Sequence, residues 1–199
     1  MPMVESPGVR VIAIGASAGG VPLLRRLVTA LPGDLTAAVL VLQHLAPTTP
    51  SRLPWLLARD AALAVCEATD GAVVTPGTVY VAVPNLHLLV RAGRLALVSS
   101  AVVHHVRPSL DLLLVSMAET YGGACAAVVL TGTGRDGAAG VVAVKRAGGA
   151  TIAQDPREAA FPGMPTAAIQ TGCVEHVMGL AAIAPLLVRL TRPAAAAAV

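Results

Sequence analysis

Three residues of this sequence have the types and settings that nucleophilic catalysis needs: Ser17, His44 and Asp136. Ser17 lies in Gly15-Ala16-Ser17-Ala18-Gly19-Gly20, directly after the predominantly apolar run Val9-Arg10-Val11-Ile12-Ala13-Ile14. Gly15-x-Ser17-x-Gly19 has the spacing of a nucleophile elbow, where flanking glycines allow a sharp turn that exposes the hydroxyl. The plainer reading is a glycine-rich strand-to-helix turn with an incidental serine. A serine hydroxyl is a weak nucleophile at neutral pH. It needs a base to take its proton, and the base needs a third group to fix its tautomer and stabilise the imidazolium. His44 follows an apolar run, and so does the loop that carries Asp136. His87, His104, His105 and His176 do not sit directly between a buried strand and a loop, and read as surface or packed histidines. The chain order Ser…His…Asp differs from that of the α/β-hydrolases, so the elbow spacing does not assign that fold.

For these groups to meet, their carriers must end at one edge of one sheet. Residues 9–14, 36–42 and 124–130 are apolar runs of the kind seen in parallel strands buried on both faces. Residues 21–31 place Leu23, Leu24, Leu27 and Val28 on one helical stripe and stop at Pro32-Gly33. Further strands are expected at 63–67, 78–83, 150–153 and 174–177, and further helices at 53–58, 109–121, 138–147, 166–170 and 180–190, with Ser109 as an N-cap. Residues 87–90 and 95–98, joined across Arg91-Ala92-Gly93-Arg94, predict an antiparallel hairpin. The alternation predicts a doubly wound, mainly parallel α/β sheet, whose active groups gather beyond the carboxyl ends of the strands. Ser17, His44 and Asp136 all fall at such ends.

Composition narrows the function. At 199 residues and 55% apolar content the chain is read as one domain, residues 9–191, with a short lead at 1–8 and a disordered tail at 192–199. The only aromatics are Trp55, Tyr80, Tyr121 and Phe161, too few for base-stacking platforms, and the net charge of +3 comes from scattered arginines and one lysine, Lys145. Nucleic-acid binding is therefore not expected. Cys66, Cys125 and Cys173 are widely spaced, with no metal-ligand or disulfide pattern. Two of them sit in apolar, strand-like surroundings and read as buried thiols. No signal peptide or membrane span is read, so a cytoplasmic protein without metal or cofactor is expected.

One rival reading concerns Gly132-x-Gly134-x-x-Gly137, a G-x-G-x-x-G between strand and helix, with Asp155 near the spacing of a ribose-binding acid. Against a dinucleotide stands Asp136, a carboxylate at the helix N-terminus that would hold the pyrophosphate.

In these residues the chain resembles the catalytic domain of the CheB-type protein-glutamate methylesterases of bacterial chemotaxis. The resemblance rests on Gly15-Ala16-Ser17-Ala18-Gly19-Gly20, Gln43-His44, Pro76-Gly77-x-x-Tyr80, His87, Arg107-Pro108-Ser109-x-Asp111 and Leu130-Thr131-Gly132-x-Gly134-x-Asp136-Gly137-Ala138. It continues through Gly148-Gly149, Gln154-Asp155 and Gly163-Met164-Pro165-x-Ala167-Ala168, in register from about Val9 to about Leu190. It implies a seven-stranded sheet and a serine hydrolase that demethylates glutamyl methyl esters on chemoreceptors, releasing methanol, often with deamidation of receptor glutamines. It carries the catalytic roles onto Ser17, His44 and Asp136, the oxyanion loops onto Ala18, Gly19, Gly132 and Thr133, and the substrate surroundings onto Arg107 and Met164. The implied partners are the methylated cytoplasmic domain of a chemoreceptor-like protein and a separate regulatory or receiver protein. Family members usually carry an N-terminal receiver domain, whereas eight residues precede Val9 here; a trimmed chain and a stand-alone domain are both consistent with that. Thr133 stands where the family usually has Met, and Ala18 where it often has Thr. These departures keep open a second reading, a non-catalytic module that binds a receptor through the same surface.

Overall fold

The computed structural model describes residues 8–45 and 51–192; the expected lead before Gly8, the turn-rich segment 46–50 and the tail after Arg192 fall outside them. The elements in order are β1 (Val11–Ala16), α1 (Gly20–Thr29), β2 (Ala38–Gln43), α2 (Leu53–Ala58), β3 (Ala64–Glu67) and β4 (Thr78–Val81). Then come β5 (His87–Arg91), β6 (Arg94–Val98), α3 (Leu110–Tyr121), β7 (Cys125–Val129), α4 (Ala138–Arg146), β8 (Ala150–Gln154), α5 (Gly163–Gln170), β9 (His176–Met178) and α6 (Leu180–Thr191).

Seven of these strands form one sheet in the order β3-β4-β2-β1-β7-β8-β9, and every pairing in it is parallel. The central strands β1, β2 and β7 are buried at every residue. Because successive side chains of a strand point to opposite faces, β1 serves two cores. Ile12 and Ile14 pack with Leu24, Leu27, Ile183 and Leu187 of α1 and α6. Val11 and Ala13 belong to the opposite core, with Leu110, Leu113 and Met117 of α3 and Val141 of α4. The antiparallel hairpin β5–β6 is a sheet of its own, not an insertion into the main one. Its turn has Ala92 and Gly93 both at positive φ, as a two-residue type I′ turn requires. It rests on α3, where Ser116 Oγ accepts the Val90 amide at 3.0 Å.

Strand limits moved by about two residues at the first strand. Gly15 and Ala16 still pair with Leu42 and Gln43, so the glycine does not end β1; it makes room for Leu110, which occupies the space its Cβ would need. Helix α5 begins at Gly163, ahead of the expected 166, because Pro165 falls in its first turn, where a missing N–H costs nothing. Of the cysteines, Cys125 is buried, and burial pushes its thiol up to about 11, whereas Cys66 on edge strand β3 is exposed. No helix among the described residues is long and apolar enough to cross a membrane.

The contact between α3 and α4 is close because α4 carries a glycine where it crosses. A Cβ on Gly140 would lie 2.6 Å from Leu114 Cβ, an atom fixed to the α3 backbone. Gly140→Ala is therefore expected to destabilise the protein by about 1–3 kcal/mol through overpacking. A thermal melt checks this, at about 2–4 °C per kcal/mol for a chain of this size; an unchanged melting temperature would show that the helices can separate without loss.

Candidate active site

Strand β1 lies between β2 and β7 at the point where the chain reverses its direction of travel across the sheet. Doubly wound sheets open a crevice at such a point. The three candidate side chains follow these strands: Ser17 comes directly after β1, His44 directly after β2, and Asp136 in the loop after β7. The parallel ladder runs one step past the strands and ties the three ends together. The His44 amide donates to Ala16 O at 3.0 Å, Leu130 N to Gly15 O at 2.9 Å, and Ser17 N to Thr131 O at 2.9 Å. Gln43, buried at the end of β2, donates from Nε2 to the carbonyls of Ser17 (2.7 Å) and His44 (3.0 Å). The turn at Ser17 and the turn at His44 are thereby braced by one side chain.

His44 Nε2 lies 2.9 Å from Asp136 Oδ2, and the two side chains are 10% and 3% exposed. Each Asp136 oxygen accepts two hydrogen bonds. Oδ2 takes His44 Nε2–H and the Leu110 amide (2.6 Å); Oδ1 takes the Ser109 hydroxyl (2.8 Å) and the Asp111 amide (3.0 Å). The two amides are free donors at the N-terminus of α3, where negative charge is favoured. Burial pushes the Asp136 carboxyl up, but hydrogen bonds from His44, Leu110 and Asp111 outweigh it and hold the group below the usual carboxylate range.

A second carboxylate mirrors the first. Asp111, in the first turn of α3, accepts from the Gly137 (2.9 Å) and Gly140 (2.8 Å) amides at the start of α4. Each helix thus receives its N-terminal carboxylate from the other's chain segment. For Asp111, burial is the largest influence and raises the pKa, with Asp136 adding to the rise. The two groups act on stability with opposite signs. Asp136 contributes stability that is present above its unfolded pKa of about 3.9 and is lost as the pH falls through its lower folded value. Asp111 binds its proton more tightly when folded, so its share of stability declines as the pH rises from about 3.9 through its folded value. Asp111→Asn keeps an Oδ1 acceptor for both amides and removes a buried charge. It is expected to leave the melting temperature at neutral pH unchanged or higher and ester hydrolysis nearly intact; a loss above about 1 kcal/mol would contradict this.

The α4 start is also where the dinucleotide reading fails. The Gly137 and Gly140 amides are taken by Asp111, so they are not free to cradle a pyrophosphate. Asp155 is paired with Arg157 at 2.6 Å.

The chain matches the protein-family model described as CheB methylesterase over residues 12–187. The chain belongs to the CheB methylesterase family. Its fold matches the crystal structure of the Thermotoga maritima CheB methylesterase catalytic domain with a TM-score of 0.87 and 35% identity, covering 92% of this chain and 98% of that one. Among curated relatives, a protein-glutamate methylesterase/protein-glutamine glutaminase of Pyrococcus horikoshii is 39% identical over 182 residues, 89% of this chain and 50% of that protein. One from Myxococcus xanthus is 42% identical, covering 92% and 54%, and the protein-glutamate methylesterase FrzG of the same organism is 38% identical, covering 92% and 55%. The chain spans about half the length of the curated relatives it matches.

In this CheB-family frame, Gly132 lies directly against both Ser17 and Met164. The Gly132 amide donates to Phe161 O at 2.8 Å and is not free to bind an oxyanion. Met164 is fully buried, with its sulfur where a Gly132 Cβ would stand; that Cβ would also lie 2.7 Å from Ser17 Cβ. Gly132 is thus the thin layer between Ser17 and the buried Met164. The amides of Ala18, Gly19 and Thr133 take part in no hydrogen bond among the described residues. Arg107 lines a cavity of about 130 Å³ beside His44, with Asn85, Val102 and His105 among its other walls. Its guanidinium is held by Asn85 Oδ1 (3.0 Å from Nε) and Ser100 O (2.6 Å from Nη1).

The sequence placed Ser109 as the N-cap of α3, as the structure has it, but did not reveal its bond to Asp136 or the parts played by Asp111 and Thr131. Thr131 is fully buried, takes the Phe161 amide on its hydroxyl (2.9 Å) and donates its own amide to Gln154 Oε1 (2.9 Å). Phe161, 43% exposed, is the ring nearest Gly19 in the serine loop. The Arg107-Pro108-Ser109-x-Asp111 motif was the available signal for the first two.

Proposed function

We propose that this chain is a protein-glutamate methylesterase acting on a methylated chemoreceptor-like protein, with Ser17 as nucleophile and the His44–Asp136 pair as its activating base. The observation that carries this is the buried 2.9 Å contact between His44 Nε2 and Asp136, placed at the same sheet edge as Ser17. With the Nε2–H committed to Asp136, the nitrogen left to take a proton from Ser17 is Nδ1.

Nδ1 accepts the hydroxyl proton as Oγ attacks the ester carbonyl. The tetrahedral intermediate collapses by breaking its bond to methoxide, which leaves as methanol with the proton from Nδ1. Water, deprotonated by the same nitrogen, then attacks the glutamyl-serine ester and returns Ser17 and a free glutamate. The negative charge of each intermediate falls to the free amides of Ala18, Gly19 and Thr133; one preorganised donor is worth about 3–4 kcal/mol in such a site. A receptor glutamine would enter the same sequence with ammonia as leaving group, giving the glutaminase activity named for the relatives.

Asp136 alone does not separate an enzyme from a binding module, because it also caps α3. The pair Ser17 and His44 supports the enzyme reading, since neither side chain has such a structural task. A methylated receptor cytoplasmic domain, which implies a cytoplasmic setting and a separate regulatory partner, is the substrate to test. Methanol should be released in proportion to enzyme, and a small activated ester should also be turned over. No turnover of either would favour the binding module.

A further inference from the structure

We propose that His87 is a positioning residue of this site: it fixes the amide of Ser109, and through the Ser109 hydroxyl it holds Asp136 in register with His44. This rests on the esterase reading for its consequence in catalysis, though the arrangement itself does not.

His87 opens strand β5 and is fully buried. Its Nδ1 accepts the Ser109 amide at 3.1 Å, and its Nε2–H donates to the Ala101 carbonyl at 3.0 Å. A nitrogen facing an N–H must be unprotonated, so the ring is held as one neutral tautomer. Ser109, also fully buried, is the N-cap of α3; its hydroxyl donates to Asp136 Oδ1 at 2.8 Å, the carboxylate whose other oxygen holds His44.

The need for a histidine follows from the cap. In a capping box, the N-cap serine has its own amide satisfied by a Glu or Gln three residues on. Here that residue is Leu112, which has no acceptor. The hairpin supplies the missing one in the form of the His87 ring. A buried apolar side chain could fill the volume but would leave the Ser109 amide without a partner, free to rotate the cap and take its hydroxyl off Asp136. Four links therefore run in line: Ala101 carbonyl, His87, Ser109, Asp136, with His44 at the end.

The test compares His87→Asn with His87→Gln in the full chain. The asparagine carbonyl falls near the position of Nδ1 and can still accept the Ser109 amide. Glutamine is closer to histidine in volume but reaches the Nε2 position instead. The inference expects His87→Gln to lower kcat by about 10²-fold, the scale of a misplaced catalytic group, with KM little changed, and His87→Asn to recover most of that loss. Nitrogen-15 NMR gives a readout that needs no turnover: the hydrogen-bonded Nε2–H signal of His44 should be present in the wild type and His87→Asn and lost or shifted in His87→Gln. A role in filling space alone predicts the reverse order, and that order, or equal behaviour of the two variants, would overturn the inference. If either variant fails to fold, Ser109→Ala removes only the hydroxyl and should perturb the same His44 signal; an unperturbed signal there would also overturn it. A wild type with no esterase activity would instead count against the proposed function, and the NMR comparison would still decide the role of His87.

Discussion

Replacing Ser17 with alanine is expected to reduce methanol release by about 10³–10⁶-fold, the range over which loss of a triad nucleophile is felt, without lowering the melting temperature. The separation of the two effects follows from how Ser17 is held. Its position is set by backbone: its amide donates to Thr131 O and its carbonyl accepts from Gln43 and from the Gly20 amide. Among the described residues no hydrogen bond uses its hydroxyl. Alanine keeps all the backbone contacts and loses only Oγ. Methanol release and a thermal melt on the same preparation check both halves. Residual activity near that of the wild type would mean that a different group attacks the ester.

Asp136→Asn is expected to be costly in both respects, in contrast to the same change at Asp111. Both Asp136 oxygens accept two donors each, and each pair includes a backbone amide. An asparagine has one acceptor oxygen, so whichever way it turns, its NH₂ faces donors that cannot reverse. With His44 Nε2–H on that side, the wrong tautomer is favoured and hydrolysis should fall by about 10⁴-fold. With the helix amides unsatisfied in the interior, stability should fall by about 2–4 kcal/mol. Denaturant or thermal unfolding of the two asparagine variants side by side measures the contrast. Equal melting temperatures for the two would show that Asp136 does not hold the start of α3.

Why these elements were open to reading from the sequence, and others were not, has a physical basis. Buried parallel strands are apolar on both faces, so β1, β2 and β7 stood out as runs, and the residues just after them were bound to lie at one edge. That is enough to bring Ser17, His44 and Asp136 to one edge of the sheet without knowing a single contact. The Ser109 and Asp111 contacts depend instead on how α3 approaches α4, a tertiary packing set by Gly140 against Leu114, for which no local pattern exists. His87 read as packed, which it is; its partner lies 22 residues away across a hairpin whose docking on α3 no periodicity reports. Gly132 was expected in an oxyanion loop and Met164 near the substrate; that the Gly132 amide is taken by Phe161 and the methionine is buried behind it depends on the path of the loop. The boundary shift in β1 has the same origin, since Gly15 is small to admit Leu110 and not to end a strand.

As nucleophile, Ser17 is expected to become covalently attached to the substrate acyl group during turnover. The most direct measurement is an acid quench of the enzyme during turnover of a methylated receptor segment, followed by peptide mapping. The expected result is a glutamyl ester on the peptide that contains Ser17, absent in Ser17→Ala. An adduct on another residue, or methanol release from Ser17→Ala at the wild-type rate, would show that Ser17 is not the nucleophile.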